Sequence, residues 1–162
     1  MVAREKNLQD INWAKLTFSI TPTRSMYKAH CEFDDEWEEG KLIPYGNVSL
    51  SPAAGVLNYG QGIFEGMKAY RSAKNRVVLF RPEKNAIRAA SSAERVCIPK
   101  VPKKMFMDAV EKVVRDNLDY VPPQGKGSLY LRPVIWGTGP ILGVAPSPSY
   151  TFLIYVSPVG AY

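Results

Sequence analysis

The chain has 162 residues, 46% of them hydrophobic and 22% charged, with a net charge of +6. That length suits one domain, and that composition belongs to a chain that folds rather than stays disordered. The longest apolar runs, such as Tyr150 to Val156, are far too short to cross a bilayer, which excludes a helical membrane span.

The cations are spread along the chain, and no RNP, zinc-finger or basic-helix pattern is present, so no nucleic-acid partner is expected. A basic balance of this kind suits anionic small molecules or a solvated surface. Cys31 and Cys97 form no CxxC pair and His30 stands alone, so all three read as structural residues and no metal site is expected. Met1 to Leu16 carries Arg4, Glu5, Lys6, Asp10 and Lys15 without the apolar core of a secretory signal. It is also not the acid-poor, Ser- and Arg-rich start of a transit peptide, so a cytoplasmic location is expected.

In chain order, residues 1–14 read as a flexible polar arm and residues 15–162 as the folded domain. Lys15 to Ile20 and Met26 to Phe33 read as strands separated by the Thr21-Pro22-Thr23 turn. Asp34 to Gly40 is an acidic loop that lacks the alternating ligand pattern of a calcium site. Ile63 to Arg71 and Val77 to Arg81 form a predicted hairpin around the polar turn Ser72 to Arg76. Pro82 opens a helix with a small-residue face of Ala86, Ala89, Ala90 and Ala93, ending before Pro99. Pro102 opens a second helix, in which Phe106, Ala109, Val110, Val113, Val114 and Leu118 recur with a 3.6-residue period. Ser128 to Trp136 and Tyr150 to Pro158 are strands joined by the Gly/Pro-rich loop Gly137 to Pro148. Runs of strands beside runs of helices predict an α+β fold, a mostly antiparallel sheet packed against two helices.

Two glycine clusters, Gly60 to Gly66 and Gly137 to Gly143, nearly match the dinucleotide fingerprint. In each the third glycine lies one place too far along, and neither cluster links a strand to a helix, so both are rejected. Gly125-Lys126-Gly127 lacks the remaining parts of a P-loop. Arg88 lies on the alanine-rich helix. It is either a phosphate clamp, whose planar fork matches phosphate oxygens, or a surface arginine in a salt bridge. Tyr130 and Arg132 share one face of a strand, either lining a pocket for a carboxylate or lying on an exposed polar sheet face.

Asn58-Tyr59-Gly60-Gln61-Gly62-Ile63-Phe64-Glu65-Gly66-Met67-Lys68-Ala69-Tyr70 resembles the signature of branched-chain amino-acid aminotransferases, in the style of the plant members. Four further blocks follow in family order: Leu79 to Asn85, Ser128 to Pro133, Gly143 to Pro146, and Val156 to Tyr162. The resemblance covers Thr17 to Tyr162. It implies the N-terminal, smaller domain of a fold type IV, pyridoxal-phosphate-dependent homodimer. Such an enzyme moves the amino group of leucine, isoleucine or valine to 2-oxoglutarate. By position, the resemblance makes Arg88 the holder of the cofactor phosphate. It places Tyr59, Tyr130 and Arg132 at the substrate, the arginine favouring the distal carboxylate of glutamate. It makes Leu142 and Val144 walls of the neighbouring subunit's aliphatic pocket. Pro22 stands where animal members place a phenylalanine in the pocket.

The family's Schiff-base lysine belongs to the larger C-terminal domain, so none of the chain's 12 lysines is expected to take that role, Lys68 included. The resemblance therefore predicts a truncated, incomplete enzyme that binds pyridoxal 5'-phosphate only weakly by itself. Alternatively, the chain is a non-catalytic module that pairs with a full-length aminotransferase subunit or with a separate C-terminal half. Methionine-related substrates remain open beside the branched-chain ones.

Overall fold

The computed structural model describes residues 8–160. Residues 1–7 of the expected arm, and Ala161 and Tyr162 of the last family block, lie outside them. Leu8–Asp10 and Trp13–Lys15 form 3-10 turns, and Ile11 is buried in the core.

Seven strands build one antiparallel sheet: β1 (Ser25–Glu32), β2 (Lys41–Pro44), β3 (Gly62–Phe64), β4 (Met67–Arg71), β5 (Val77–Leu79), β6 (Ser128–Gly137) and β7 (Ser149–Val159). Their order is β2-β1-β7-β6-β4-β5, with β3 also pairing β6. A short helix, α1 (Gly55–Tyr59), precedes β3, while α2 (Pro82–Arg95) and α3 (Lys103–Asp116) cover one face of the sheet. The α+β fold read from the sequence is the fold that forms.

The covered face holds the main core. Helix α2 buries Ala86, Ala89 and Ala93, and α3 buries Phe106, Ala109, Val110, Val113 and Val114. The alternate residues of β6 and β7, including Leu129, Leu131, Ile135, Phe152, Ile154 and Val156, meet them from the sheet. Phe106 stacks on Phe152 with ring centroids 5.6 Å apart. Asn117 closes the end of α3. Its fully buried amide donates to Ser25 O (3.1 Å) and Val113 O (2.8 Å) and accepts from Arg24 N (3.1 Å).

Four sequence expectations are corrected. Lys15 to Ile20 is not a strand, because β7 is already paired on one edge with β1 and on the other with β6. The predicted strand Ile63 to Arg71 is split into β3 and β4 at Glu65-Gly66, although the register against β6 is the same on both sides. Glu65 N donates to Pro133 O at 2.8 Å, but Pro133 has no N–H to return the bond. The hairpin's second strand ends at Leu79, since Arg81 takes a left-handed conformation (φ 47°) as it enters α2. Leu118 lies beyond α3 in a 3-10 turn and is 40% exposed.

Candidate active site

Side-chain alternation sends the other half of β6 and β7 to the uncovered face of the sheet. There Met26, Val134 and Leu153 form a small cluster with Ile43, Tyr45, Val48, Trp136 and Tyr155 packed around it. Beside this cluster sit Tyr130 and Arg132. Arg132 Nη2 donates to the Tyr130 hydroxyl at 2.9 Å, and its guanidinium lies 4.5 Å from the Phe64 ring centroid. Phe18 packs edge-on against Tyr130, with centroids 5.0 Å apart. A cation set between two aromatic rings is held in place without being neutralised. Arg132 Nε is buried and has no hydrogen-bond partner, the only side-chain nitrogen or oxygen in that state among the described residues. Lys68 lies directly opposite Tyr130 in the sheet register and therefore shares this face.

The break at Glu65-Gly66 serves both faces, since consecutive strand residues point to opposite sides. Gly66 lies against Tyr130: a Cβ added there would come within 2.3 Å of the Tyr130 hydroxyl oxygen. Glu65, only 3% exposed, points toward α2 and takes Arg88 in a two-pronged pair, Nε to Oε1 at 2.7 Å and Nη2 to Oε2 at 2.5 Å. Asn85 Nδ2 adds a bond to Glu65 Oε2 (2.9 Å) and one to Gly66 O (3.2 Å), joining the two sides of the break. The hydrogen bonds to Glu65 raise the Arg88 pKa, so the guanidinium stays charged. Arg88 itself is 65% exposed, and its Nη1 has no partner among the described residues. The salt bridge and the free donors thus coexist. The buried carboxylate aims the planar fork, and the remaining N–H groups fit a phosphate oxygen.

Tyr59, Leu142 and Val144 form a third group at the end of the sheet. Tyr59 sits at the C-terminus of α1, where its hydroxyl donates to Leu142 O. Leu142 and Val144 are 93% and 87% exposed on the loop between β6 and β7. Pro22 is half-buried in the irregular segment before β1.

The structure therefore brings Tyr130 to Arg132 and Tyr59 to Leu142, and links Arg88 to the Tyr130 side only through Glu65, Asn85 and Gly66. Sequence reading missed Glu65 as the partner of Arg88, and Phe64 and Phe18 as the packing around Arg132 and Tyr130. Phe64 and Glu65 were visible only as members of the glycine-rich motif. A cavity of about 660 Å³ lies elsewhere, between β5 and the end of α3, where Arg71, Arg76 and Arg115 line it with Glu111 and Asp119. No cluster of potential metal ligands occurs among the described residues, and no helix among them is long and apolar enough to cross a membrane.

No protein-family model matches the chain. Individual proteins do. It is 54% identical over 155 residues to branched-chain-amino-acid aminotransferase 5, chloroplastic, of Arabidopsis thaliana, which covers 96% of this chain and 37% of that protein. It is 40% identical over 158 residues to a methionine aminotransferase of the same plant, covering 98% of this chain and 45% of that one. Among solved structures, the branched-chain amino acid aminotransferase of Escherichia coli aligns with a TM-score of 0.66 at 27% identity, over 84% of this chain and 40% of that one. The branched-chain aminotransferase of the archaeon Thermoproteus uzoniensis, solved with norvaline, aligns with a TM-score of 0.65 at 25% identity, over 84% and 41%. The chain spans between 37% and 45% of the length of the curated relatives it matches.

Proposed function

The chain belongs to the branched-chain amino-acid aminotransferase family, and from that premise we propose that these residues supply the small-domain share of a transaminase site acting on leucine, isoleucine or valine with 2-oxoglutarate. The observation that carries the reading is the Arg132 guanidinium, set between Phe64 and Tyr130 on the uncovered sheet face with its Nε buried and unpartnered. A charged fork held by aromatic walls suits an acid substrate with an apolar body.

In this reading Arg88, aimed by Glu65, holds the phosphate of pyridoxal 5'-phosphate. When bound, that cofactor supplies the electron-withdrawing ring that the exchange of an amino group requires. Arg132, with the Tyr130 hydroxyl beside it, receives the distal carboxylate of glutamate or 2-oxoglutarate. Phe64 and Tyr130 keep water from that contact. Tyr59, Leu142 and Val144 complete the aliphatic pocket of a neighbouring subunit in a homodimer, which gives the two exposed loop residues an apolar environment. The higher identity to a branched-chain than to a methionine aminotransferase favours the branched-chain substrates.

In this reading none of the chain's 12 lysines performs the chemical step. The chain alone therefore binds the cofactor weakly, because one arginine already paired to a carboxylate offers a single phosphate contact against the cost of immobilising a ligand. Two experiments test this. Reduction of a mixture of chain and cofactor with borohydride, followed by intact mass, is expected to show no stoichiometric adduct. An adduct at one lysine, Lys68 above all, contradicts the reading. The second places these residues in a chimera with the remainder of the Arabidopsis branched-chain relative. Transamination of leucine with 2-oxoglutarate is expected, and a folded, cofactor-loaded chimera without it refutes the assignment. The exposed Phe64 (64%), Phe80 (79%), Leu142 and Val144 also favour assembly with a second chain. Co-purification then separates an intact aminotransferase subunit from a lone lysine-bearing half.

A further inference from the structure

We propose that Gln61 is a positioning residue: it clamps the base of the loop 138–148 and so sets where Leu142 and Val144 stand against the aliphatic side chain of the substrate. The substrate half of this inference rests on the reading of Leu142 and Val144 given above; the clamp itself does not.

Gln61 lies in the turn between α1 and β3, after Gly60 at φ 65°. Its backbone oxygen accepts the Gly137 N–H at 2.9 Å, at the end of β6. Its side-chain Oε1 accepts the Ser147 N–H at 3.0 Å, and its Nε2 donates to Val96 O (3.0 Å) and Cys97 O (3.3 Å) in the connection between α2 and α3. One residue thus joins four segments, and both ends of its amide are used. A glutamate there would set a second acceptor against two carbonyl oxygens, and an apolar isostere would strip the partner from Ser147 N and Val96 O, while Cys97 O keeps the Tyr150 hydroxyl at 3.3 Å. The fit is close: a Cβ at Gly137 would lie 2.5 Å from Gln61 Oε1.

The loop is closed around the same point. Fully buried Ser147 shares its one hydroxyl proton between Ser149 O (2.9 Å) and Gly139 O (3.2 Å), and Ile141 N donates to Ala53 O (2.9 Å). Beyond this base, Leu142 and Val144 stand 93% and 87% exposed, with Tyr59 bonded to the Leu142 carbonyl. An apolar tip on a fixed base needs little further ordering when a surface closes over it, whereas the same tip on a loose loop must be ordered at that moment. The clamp acts through the loop, so Gln61 touches no substrate.

Amide hydrogen exchange on the full chain reads the clamp directly. Gln61→Met and Gln61→Glu are expected to lower protection of the Ile141 and Ser147 amides by about tenfold or more while leaving the β6–β7 amides unchanged. Unchanged loop protection in both variants overturns the clamp. Loss of β6–β7 protection as well makes Gln61 a general stability residue and also overturns the proposal. In the chimera with the Arabidopsis remainder, Gln61→Met is expected to raise KM for leucine about tenfold, with kcat and KM for 2-oxoglutarate within about twofold. A parallel rise of both KM values refutes the positioning role. A wild-type chimera inactive on every amino acid refutes the pocket reading and the substrate half with it, while the exchange result still decides the clamp.

Discussion

The two faces of the sheet obey the same alternation but end in different states. The covered face is closed, with Leu129, Leu131, Phe152 and Ile154 all fully buried under the helices. The uncovered face interleaves a few apolar residues with a cation, hydroxyls and partly open rings, and leaves one buried Arg132 nitrogen without a partner. Closed packing commits every side chain to stability. An open face with an unmet donor holds groups in readiness for something else. Stability should therefore be lost by changes on the covered face and function by changes on the open one.

Phe106→Ala sharpens that contrast most. It removes a ring that is 1% exposed and stacked on Phe152, and should lower unfolding stability by about 3–5 kcal/mol in urea denaturation. Asn117→Ala, at the end of α3, strips the side-chain partner from the buried backbone N–H and C=O of Ser25, while Val113 O keeps the backbone N–H of residue 117. It should cost about 2–3 kcal/mol by the same measurement. Arg88→Ala lies at the junction of the faces. It leaves the buried Glu65 carboxylate with Asn85 as a partner but no cation, and should cost about 1–3 kcal/mol, less than a fully buried pair because Arg88 is largely exposed. Leu142→Ser, at the 93% exposed loop tip, should change stability by less than about 0.5 kcal/mol. In the chimera it should nonetheless raise KM for leucine several-fold. A Leu142→Ser change that unfolds the chain would erase the distinction between the two regions.

A smaller effect is expected in alkali. Burial raises the phenol pKa of Tyr27, Tyr45 and Tyr150 above the ordinary value of 10.0. The folded state thus keeps these phenols protonated where the unfolded chain would ionise them. Their contribution is complete below pH 10 and is lost as pH rises through the folded values. Thermal melts between pH 8 and pH 11 should show Tm level at first and falling above about pH 10.

The covered face was largely legible in the sequence. The small-residue face of α2, the 3.6-residue period of α3 and the alternation in β6 are local, and each names its own buried side, whereas β7 is buried along nearly its whole length and shows no such alternation. The missed elements are those whose reasons are distant or short. The short edge strand β2 has no alternating run, since Lys41, Leu42 and Pro44 are exposed. The five residues of α1 are too few for a helical period. The break after Phe64 comes from the missing N–H of Pro133, far along the chain. The false strand at Lys15 to Ile20 was locally plausible, but both edges of β7 were already taken. At the candidate site, alternation put Tyr130 and Arg132 on one face, yet nothing local showed that Phe64 and Phe18 enclose them. Arg88 was visible as a candidate, while its aiming carboxylate Glu65 lies 23 residues away.

If the open face reads the distal carboxylate through Arg132, the two half-reactions must respond differently to its loss. Single-turnover kinetics of both half-reactions in the chimera carrying Arg132→Met tests this without a detour. The half-reaction with leucine is expected to stay within about threefold of the unsubstituted chimera. The half-reaction with glutamate should fall by about a hundredfold, the loss of one charge-assisted contact. Equal loss in both, or no loss with glutamate, would contradict a role for Arg132 in reading the distal carboxylate.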